Sequence, residues 1–264
     1  MRFKLDLLKT LVQRDVAARY KGSVLGNAWS LINQLVQLLV YTYVFSIVLQ
    51  VRLELKGMDR LVTDNTLFFG LWLFAGLIPW IAFTSGFSQA TVSVFNQANL
   101  VKKVVFPLTL LPLVPILTAF VDSLLGFMLL IVGVGLLTGK VSWALLWMPM
   151  IWVPQLLFTA GISYLMAGFA VFVRDIPQTV GIAVNLLFYL TPVMYPLEKI
   201  PEPFFSIAWY NPFTAIITLY RDCVLQGSLT HWAELGYLWA IALVMFTLGS
   251  SIYRRLSPAF ADVL

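Results

Sequence analysis

The chain has 264 residues, of which 60% are hydrophobic and 11% charged, against about 25% charged in ordinary globular proteins. With a mean hydropathy of +0.89, so few charges exclude a soluble domain of this length. The net charge of +5 does not point to nucleic acid, because Arg2, Lys4, Lys9, Arg14, Arg19 and Lys21 all precede the first apolar run. Basic residues in that position set membrane orientation. One cysteine, Cys223, and one histidine, His231, exclude an internal disulfide and give no basis for a metal site.

In chain order, residues 3–20 read as a helix with Leu5, Leu8, Val12 and Val16 on one face. Asp15 and Arg19 stand at i,i+4 in the favourable order. Such a helix either lies at the lipid headgroups or docks a cytoplasmic partner. The stretches 22–51, 65–101, 141–173, 176–197 and 235–253 contain no Asp, Glu, Lys or Arg, and each is at least 19 residues long. A helix needs about 20 apolar residues to cross the hydrocarbon. Spans are predicted at 28–50, 67–92, 109–137, 143–172, 178–195 and 233–253.

The connections carry the charges. A polar loop, Arg52–Asp64, follows the first span, and residues 95–107 with Lys102 and Lys103 follow the second. Pro107, Pro112 and Pro115 suit the entry turn of the third span, since proline interrupts helix interiors. Residues 203–220 are nearly long enough to cross, but Pro203 and the pair Asn211-Pro212 predict two short helices instead.

Orientation follows from the basic residues. Six crossings put the N-terminal bases, Lys102, Lys103, Arg174, Arg254 and Arg255 on one side. Arg52, Lys56, Arg60, Lys140, Lys199 and Arg221 fall on the other. The richer side is cytoplasmic, so both termini are predicted there, whereas a seventh crossing would send Arg254 and Arg255 outside. Residues 196–225 then dip partway in from the outside, which is tolerated only where protein buries the backbone or it lines a cavity. That makes this segment a gate candidate, with Pro196, Trp209, Tyr210, Asn211 and Pro212 at its turns. The expected fold is an all-α membrane protein of six transmembrane helices, a single domain over 1–264. It has an amphipathic interface helix at 1–22, a cytoplasmic coupling segment at 95–107 and short broken helices on the outer side at 196–225.

No catalytic constellation is present. Gly135-Leu-Leu-Thr-Gly139-Lys140 is one residue short of a P-loop and is followed by Val141 rather than Ser or Thr. In the first span Trp29, Asn33, Gln37, Tyr41 and Phe45 recur every four residues, a slowly rotating stripe on one side of the helix. The fifth span repeats the idea with Asn185 and Tyr189, then Tyr195. Amides bond hydroxyls and aromatic faces stack on sugars. Amides also join helices and aromatics form interfacial belts, but two such stripes favour a polar-aromatic conduit. Asp122 is the only acid deep in a span, a functional hypothesis by default, although without a basic partner in a neighbouring span it makes a poor proton relay. Ala82, Gly86 and Ala90 form a small-residue ridge that reads as close helix packing.

Three stretches together resemble the permease subunits of ABC exporters that move polysaccharides such as O-antigen, capsule and teichoic acid. The first is Arg14-Asp15, then Arg19-Tyr20-Lys21-Gly22-Ser23, Leu25-Gly26 and Trp29. The second is Asn99-Leu100-Val101-Lys102-Lys103, then Phe106-Pro107 and Leu111-Pro112. The third is Thr191-Pro192-Val193, Tyr195-Pro196, Pro201-Glu202, Asn211-Pro212 and Arg221. Gln34 stands where that family often has proline, and Thr109 where an acid is common.

The resemblance implies a homodimer in the bacterial inner membrane, each protomer bound to a separate ATP-binding cassette subunit. No cofactor is implied for this chain, since ATP and magnesium would sit in the partner. Arg14, Asp15, Arg19, Tyr20, Lys102 and Lys103 would contact that partner, the first and fifth spans would wall the channel, and the broken segment would gate it. The implied cargo is a lipid-linked polysaccharide moving among membrane lipids. The alternatives are an ABC exporter of a small lipid or drug, which would favour a uniformly apolar cavity, and an ion-coupled transporter using Asp122.

Overall fold

A helix that is apolar all round is stable only when other helices or lipid surround it, and the longest helix of this chain meets the first condition. The computed structural model describes residues 2–19, 22–23, 25–26, 28–48, 66–103 and 106–264. The helices are α1 (Arg2–Arg19), α2 (Ala28–Tyr41), α3 (Thr66–Asn96), α4 (Ala98–Lys103), α5 (Leu110–Thr138) and α6 (Met148–Phe172). They continue with α7 (Ile176–Leu190), α8 (Glu202–Trp209), α9 (Pro212–Arg221), α10 (Trp232–Leu256) and α11 (Phe260–Val263). No strand occurs among the described residues. Central to the bundle is α3, whose Phe68, Phe69, Trp72, Leu73, Phe74 and Leu77 are all buried. Helices α2, α5, α6, α7 and α9 pack directly on it.

Among the described residues, four helical stretches are long and apolar enough to cross a membrane: Leu67–Asn96, Leu110–Thr138, Trp143–Phe172 and Trp232–Val263. They match the second, third, fourth and sixth expected spans. The other two differ from expectation. Helix α2 continues as a π-helix over Thr42–Val48, up to the edge of the described residues. Helix α7 is a shorter apolar helix of 15 residues, ending at Leu190 before Pro192 can enter it. The polar loop Arg52–Asp64 lies outside the described residues.

Close approach fixes the helix pairs. The ridge Ala82, Gly86 and Ala90 of α3 faces α5, where a Cβ on Gly86 would stand 3.0 Å from the Cα of Ile116. Helices α6 and α10 meet glycine on glycine: a Cβ on Gly161 would fall on the backbone of Met245 and Phe246, and one on Gly249 on the backbone of Gly161. Polar ties add specificity inside the bundle. Gln155 of α6, 2% exposed, donates to the Pro79 carbonyl at 3.2 Å and accepts from the Tyr220 hydroxyl at 2.9 Å. It thereby links α3, α6 and α9.

The bundle has two distinct ends. At one, Ser142 Oγ donates to the Gly227 carbonyl at 2.7 Å, and the rings of Trp147 and Trp232 meet edge to face at 5.2 Å. At the other, the Tyr253 and Tyr164 hydroxyls donate to the Leu108 and Thr109 carbonyls at 3.0 and 2.8 Å. Phe260 of α11 is buried there against Tyr253 and Phe172. Helices α1 and α4 lie at this second end, packed on α5 and α11 respectively.

The glycine crossing predicts a sharp contrast between positions. Gly161→Leu or Gly249→Leu forces α6 and α10 apart and should abolish a monodisperse peak in detergent size-exclusion chromatography. Gly236→Ala, at a helix position with nothing within 4 Å, should leave the thermal midpoint equal to or slightly above that of the wild type, since alanine restricts the unfolded chain.

Candidate functional site

The first-span stripe changes character along its length. Trp29 is exposed and its indole donates to Ser23 Oγ at 2.7 Å. Asn33 is also exposed, whereas Gln37, Tyr41 and Phe45 are half-buried. Tyr41 and Phe45 lie 6.3 Å apart and lean on the core around α3. On α7, Asn185 and Tyr189 are exposed, and Val180 is the residue that turns inward. Tyr195 is half-buried and its hydroxyl donates to the Tyr189 carbonyl at 2.7 Å. Each stripe therefore leaves polar and aromatic groups on an open face while its helix is held from behind by α3.

Behind Asn33 and Gln37 lies a cavity of about 370 Å³ between α2, α3 and α5, with Ser30, Gln34, Ser85, Ser123, Asp122 and Arg19 also in its wall. Gln37 Oε1 is buried there without a partner among the described residues. Arg19, at the C-terminus of α1, turns into this cavity and donates to Asp122 Oδ2 at 2.6 Å and to Gln89 Oε1 at 3.2 Å. Asp15 adds a longer contact to Arg19 at 3.8 Å. Asp122 thus has a basic partner, supplied by the N-terminal helix rather than by a span. Gln34 also has a structural place: its amide donates to the Asp122 carbonyl at 2.9 Å and occupies the space that a Cβ on Gly126 would need.

Of the residues expected to contact an ATPase, Arg14 and Lys102 are exposed and Asp15 is half-buried. Arg14 and Asp15 share a groove of about 560 Å³ with Gln97 and Leu100 of the coupling segment. Helix α1 and the segment around α4 are therefore adjacent. Tyr20 and the Lys103 side chain lie outside the described residues.

The segment 196–225, expected on the outer side, is built as two helices, as its prolines predict. Asn211 caps α9, accepting from the Phe213 amide at 3.0 Å and donating to Thr191 Oγ1 at 2.8 Å, and Pro212 takes the first helical position. Pro196 precedes a short 3-10 turn, Trp209 ends α8, and Tyr210 joins the two helices. Trp209 and Tyr210 border a pocket of about 240 Å³ with His231, Glu234 and Tyr237.

Sequence reasoning missed the anchor of this segment. Arg221, counted above as an outer basic residue, is 8% exposed. Its guanidinium lies 3.3 Å from the centroid of the Trp72 ring, where the ring quadrupole attracts a cation. It donates to the Pro192 and Val193 carbonyls at 3.0 and 2.8 Å. A Cβ on Gly76 would come 2.9 Å from it, so glycine one turn after Trp72 opens the notch. Beside it, Asp222 is fully buried and accepts from the Thr230 amide, the Thr230 hydroxyl and the His231 amide at 3.0, 2.8 and 3.1 Å. His231 Nδ1 stands 2.8 Å from the same oxygen. The signal available in the sequence was an Arg-Asp pair inside an otherwise uncharged stretch.

A family model described as ABC-2 type transporter matches residues 6–225. The O-antigen export system permease protein RfbA of Klebsiella pneumoniae is 30% identical over 262 residues, covering 98% of this chain and 95% of that protein. A protein of the same name from Myxococcus xanthus is 30% identical over 259 residues, covering 97% and 94%. The polysialic acid transport protein KpsM of Escherichia coli is 23% identical over 267 residues, covering 96% and 94%.

Each buried carbonyl left without a donor costs about 1–3 kcal/mol. Arg221→Met should therefore lower stability by several kcal/mol and drop the thermal midpoint in detergent steeply. Asn211→Ala, which removes a cap worth about 1 kcal/mol, should lower it by a fraction of that. Equal midpoints for Arg221→Met and wild type would remove the anchor from the account.

Proposed function

The chain belongs to the ABC-2 type transporter family, and from that premise we propose that it is the membrane-spanning subunit of an ATP-driven exporter of a lipid-linked polysaccharide, O-antigen or capsule. The observation that carries the reading is similarity over nearly the whole length to proteins named for O-antigen export. Membership implies an ATP-binding cassette partner, so ATP and magnesium belong to a separate chain. The chain itself performs no chemistry.

In this reading the protein crosses the bacterial inner membrane six times with both termini in the cytoplasm. Residues 28–50 and α7 with its extension to Tyr195 supply the two crossings beyond the four long apolar stretches. Two copies form the channel and bind two ATPase subunits. The exposed faces of α2 and α7 wall the conduit, where Trp29 and Tyr189 stack on sugar rings while Asn33 and Asn185 exchange hydrogen bonds with hydroxyls. The groove between α1 and the coupling segment favours docking over a passive headgroup location, with Arg14, Lys102 and Lys103 offering charge to the partner. Helices α8 and α9 gate the outer end. The half-exposed polar cavity beside Asn33 and Gln37 favours a hydroxyl-rich cargo over an apolar drug. The Arg19 partner of Asp122 disfavours a proton carrier, because the carboxylate is already engaged at 2.6 Å by a side chain of the N-terminal helix.

Mild-detergent purification from native membranes should bring down a soluble chain with a Walker-type P-loop in equal copy number, identified by mass spectrometry. Its absence under conditions that preserve other transporter complexes would sink the exporter reading. In the intact complex, the double change Lys102→Glu and Lys103→Glu should cut polymer export at least tenfold. Export equal to wild type would remove the coupling segment from the docking surface.

A further inference from the structure

The interface helix is held to the bundle at one polar point. Among the described residues, Arg19 makes every side-chain hydrogen bond from α1 to another element. Its main partner, Asp122, lies 12 residues into α5, about 18 Å along the helix at 1.5 Å per residue. The contact therefore reaches deep into the bundle. Both side chains are mostly covered, at 19% and 17% exposure, so the pair is poorly screened by water. The cation also sits where the C-terminal end of α1 favours positive charge.

The same residue is gripped from the other side. Gln34 of α2 donates to the Asp122 backbone carbonyl, and Gly126 one turn later makes room for that amide. A single turn of α5 thus holds α1 through its carboxylate and α2 through its carbonyl, while Gln89 brings α3 into the same cluster through Arg19.

We propose that Arg19, Asp122 and Gln34 are positioning residues forming a strap that makes the N-terminal helix and the channel-facing α2 move as one body. The strap rests on the reading above, in which α1 receives the movement of an ATPase and α2 walls the channel. Its role is to carry displacement of α1 to the stripe headed by Trp29 and Asn33, so that ATP turnover opens the conduit. Asp122 contributes as a fixed acceptor for the Arg19 guanidinium, with no proton carried across the membrane.

The test uses the intact complex with its co-purifying ATPase. Asp122→Asn keeps the shape but loses the ion pair; polymer exported per ATP hydrolysed should fall at least fivefold, with the amount of bound ATPase unchanged. Asp122→Glu, which restores the charge, should recover at least half of the coupling. Wild-type coupling in Asp122→Asn would overturn the strap while leaving the exporter reading intact. Failure of any ATPase to co-purify with the wild type would overturn both.

A second measurement does not depend on how that variant folds. Spin labels at the exposed positions Ala17 and Leu39, in an otherwise wild-type chain with Cys223→Ala, report the α1–α2 distance by electron paramagnetic resonance. That distance should stay single and narrow with and without ATP. A nucleotide-dependent change of several ångströms would show that the two helices move separately, and the strap would be wrong.

Discussion

The packing of α8 and α9 on this bundle depends on how backbone carbonyls freed by a helix break are satisfied away from water. In lipid, each such group must find a protein partner. Helix α7 stops at Leu190, Pro192 has no amide to continue it, and the Pro192 and Val193 carbonyls point into the interior. Arg221 meets both at once while its flat face lies on Trp72. Lysine would not serve equally, since a planar fork can bond two carbonyls and stack at the same time. The turn after α7, the last residue of α9 and the indole of α3 are therefore joined through one guanidinium. A buried cation is costly to hold, so its arranged partners, the Pro192 and Val193 carbonyls and the Trp72 ring, are the condition under which α9 can lie in the core at all.

Much of the architecture was legible because it depends on local chemistry. Charge-free runs located three of the four long helices, and Asn211-Pro212 located the break between α8 and α9. The ridge of Ala82, Gly86 and Ala90 announced a close helix contact, though not that α5 would make it. What escaped were pairings between residues far apart in the chain. Arg19 and Asp122 are 103 residues apart, so Asp122 looked partnerless when only spans were compared. Arg221 looked like a loop cation because charge alone does not reveal which carbonyls will need it. Gly161 and Gly249 lie on different helices, and neither has a small-residue ridge as regular as that of α3 to mark it. The candidate site was legible as residue types and faces, while its depth, cavity and polar floor were not.

The two kinds of helix contact divide the molecule. Helices α6 and α10 touch backbone to backbone, and α3 is packed on nearly every side. These elements have no slack, because close-packed interiors switch between discrete arrangements and do not deform gradually. Helices α1, α2 and α7 touch this block through side chains and leave wide faces open. Motion within the chain is cheapest where α2 and α7 slide on α3, which is also where the polar and aromatic stripes lie.

The change of winding in α2 has its own effect on the stripe. An α-helix holds about 3.6 residues per turn, so groups spaced every four residues overshoot a full turn and drift around the cylinder from Trp29 to Tyr41. From Thr42 the helix is π-wound, with hydrogen bonds one residue longer and more residues in each turn. The next step of four, from Tyr41 to Phe45, then undershoots and turns back. The spiral is arrested before it can carry its aromatic end behind the helix, and Tyr41 and Phe45 remain close neighbours along one seam.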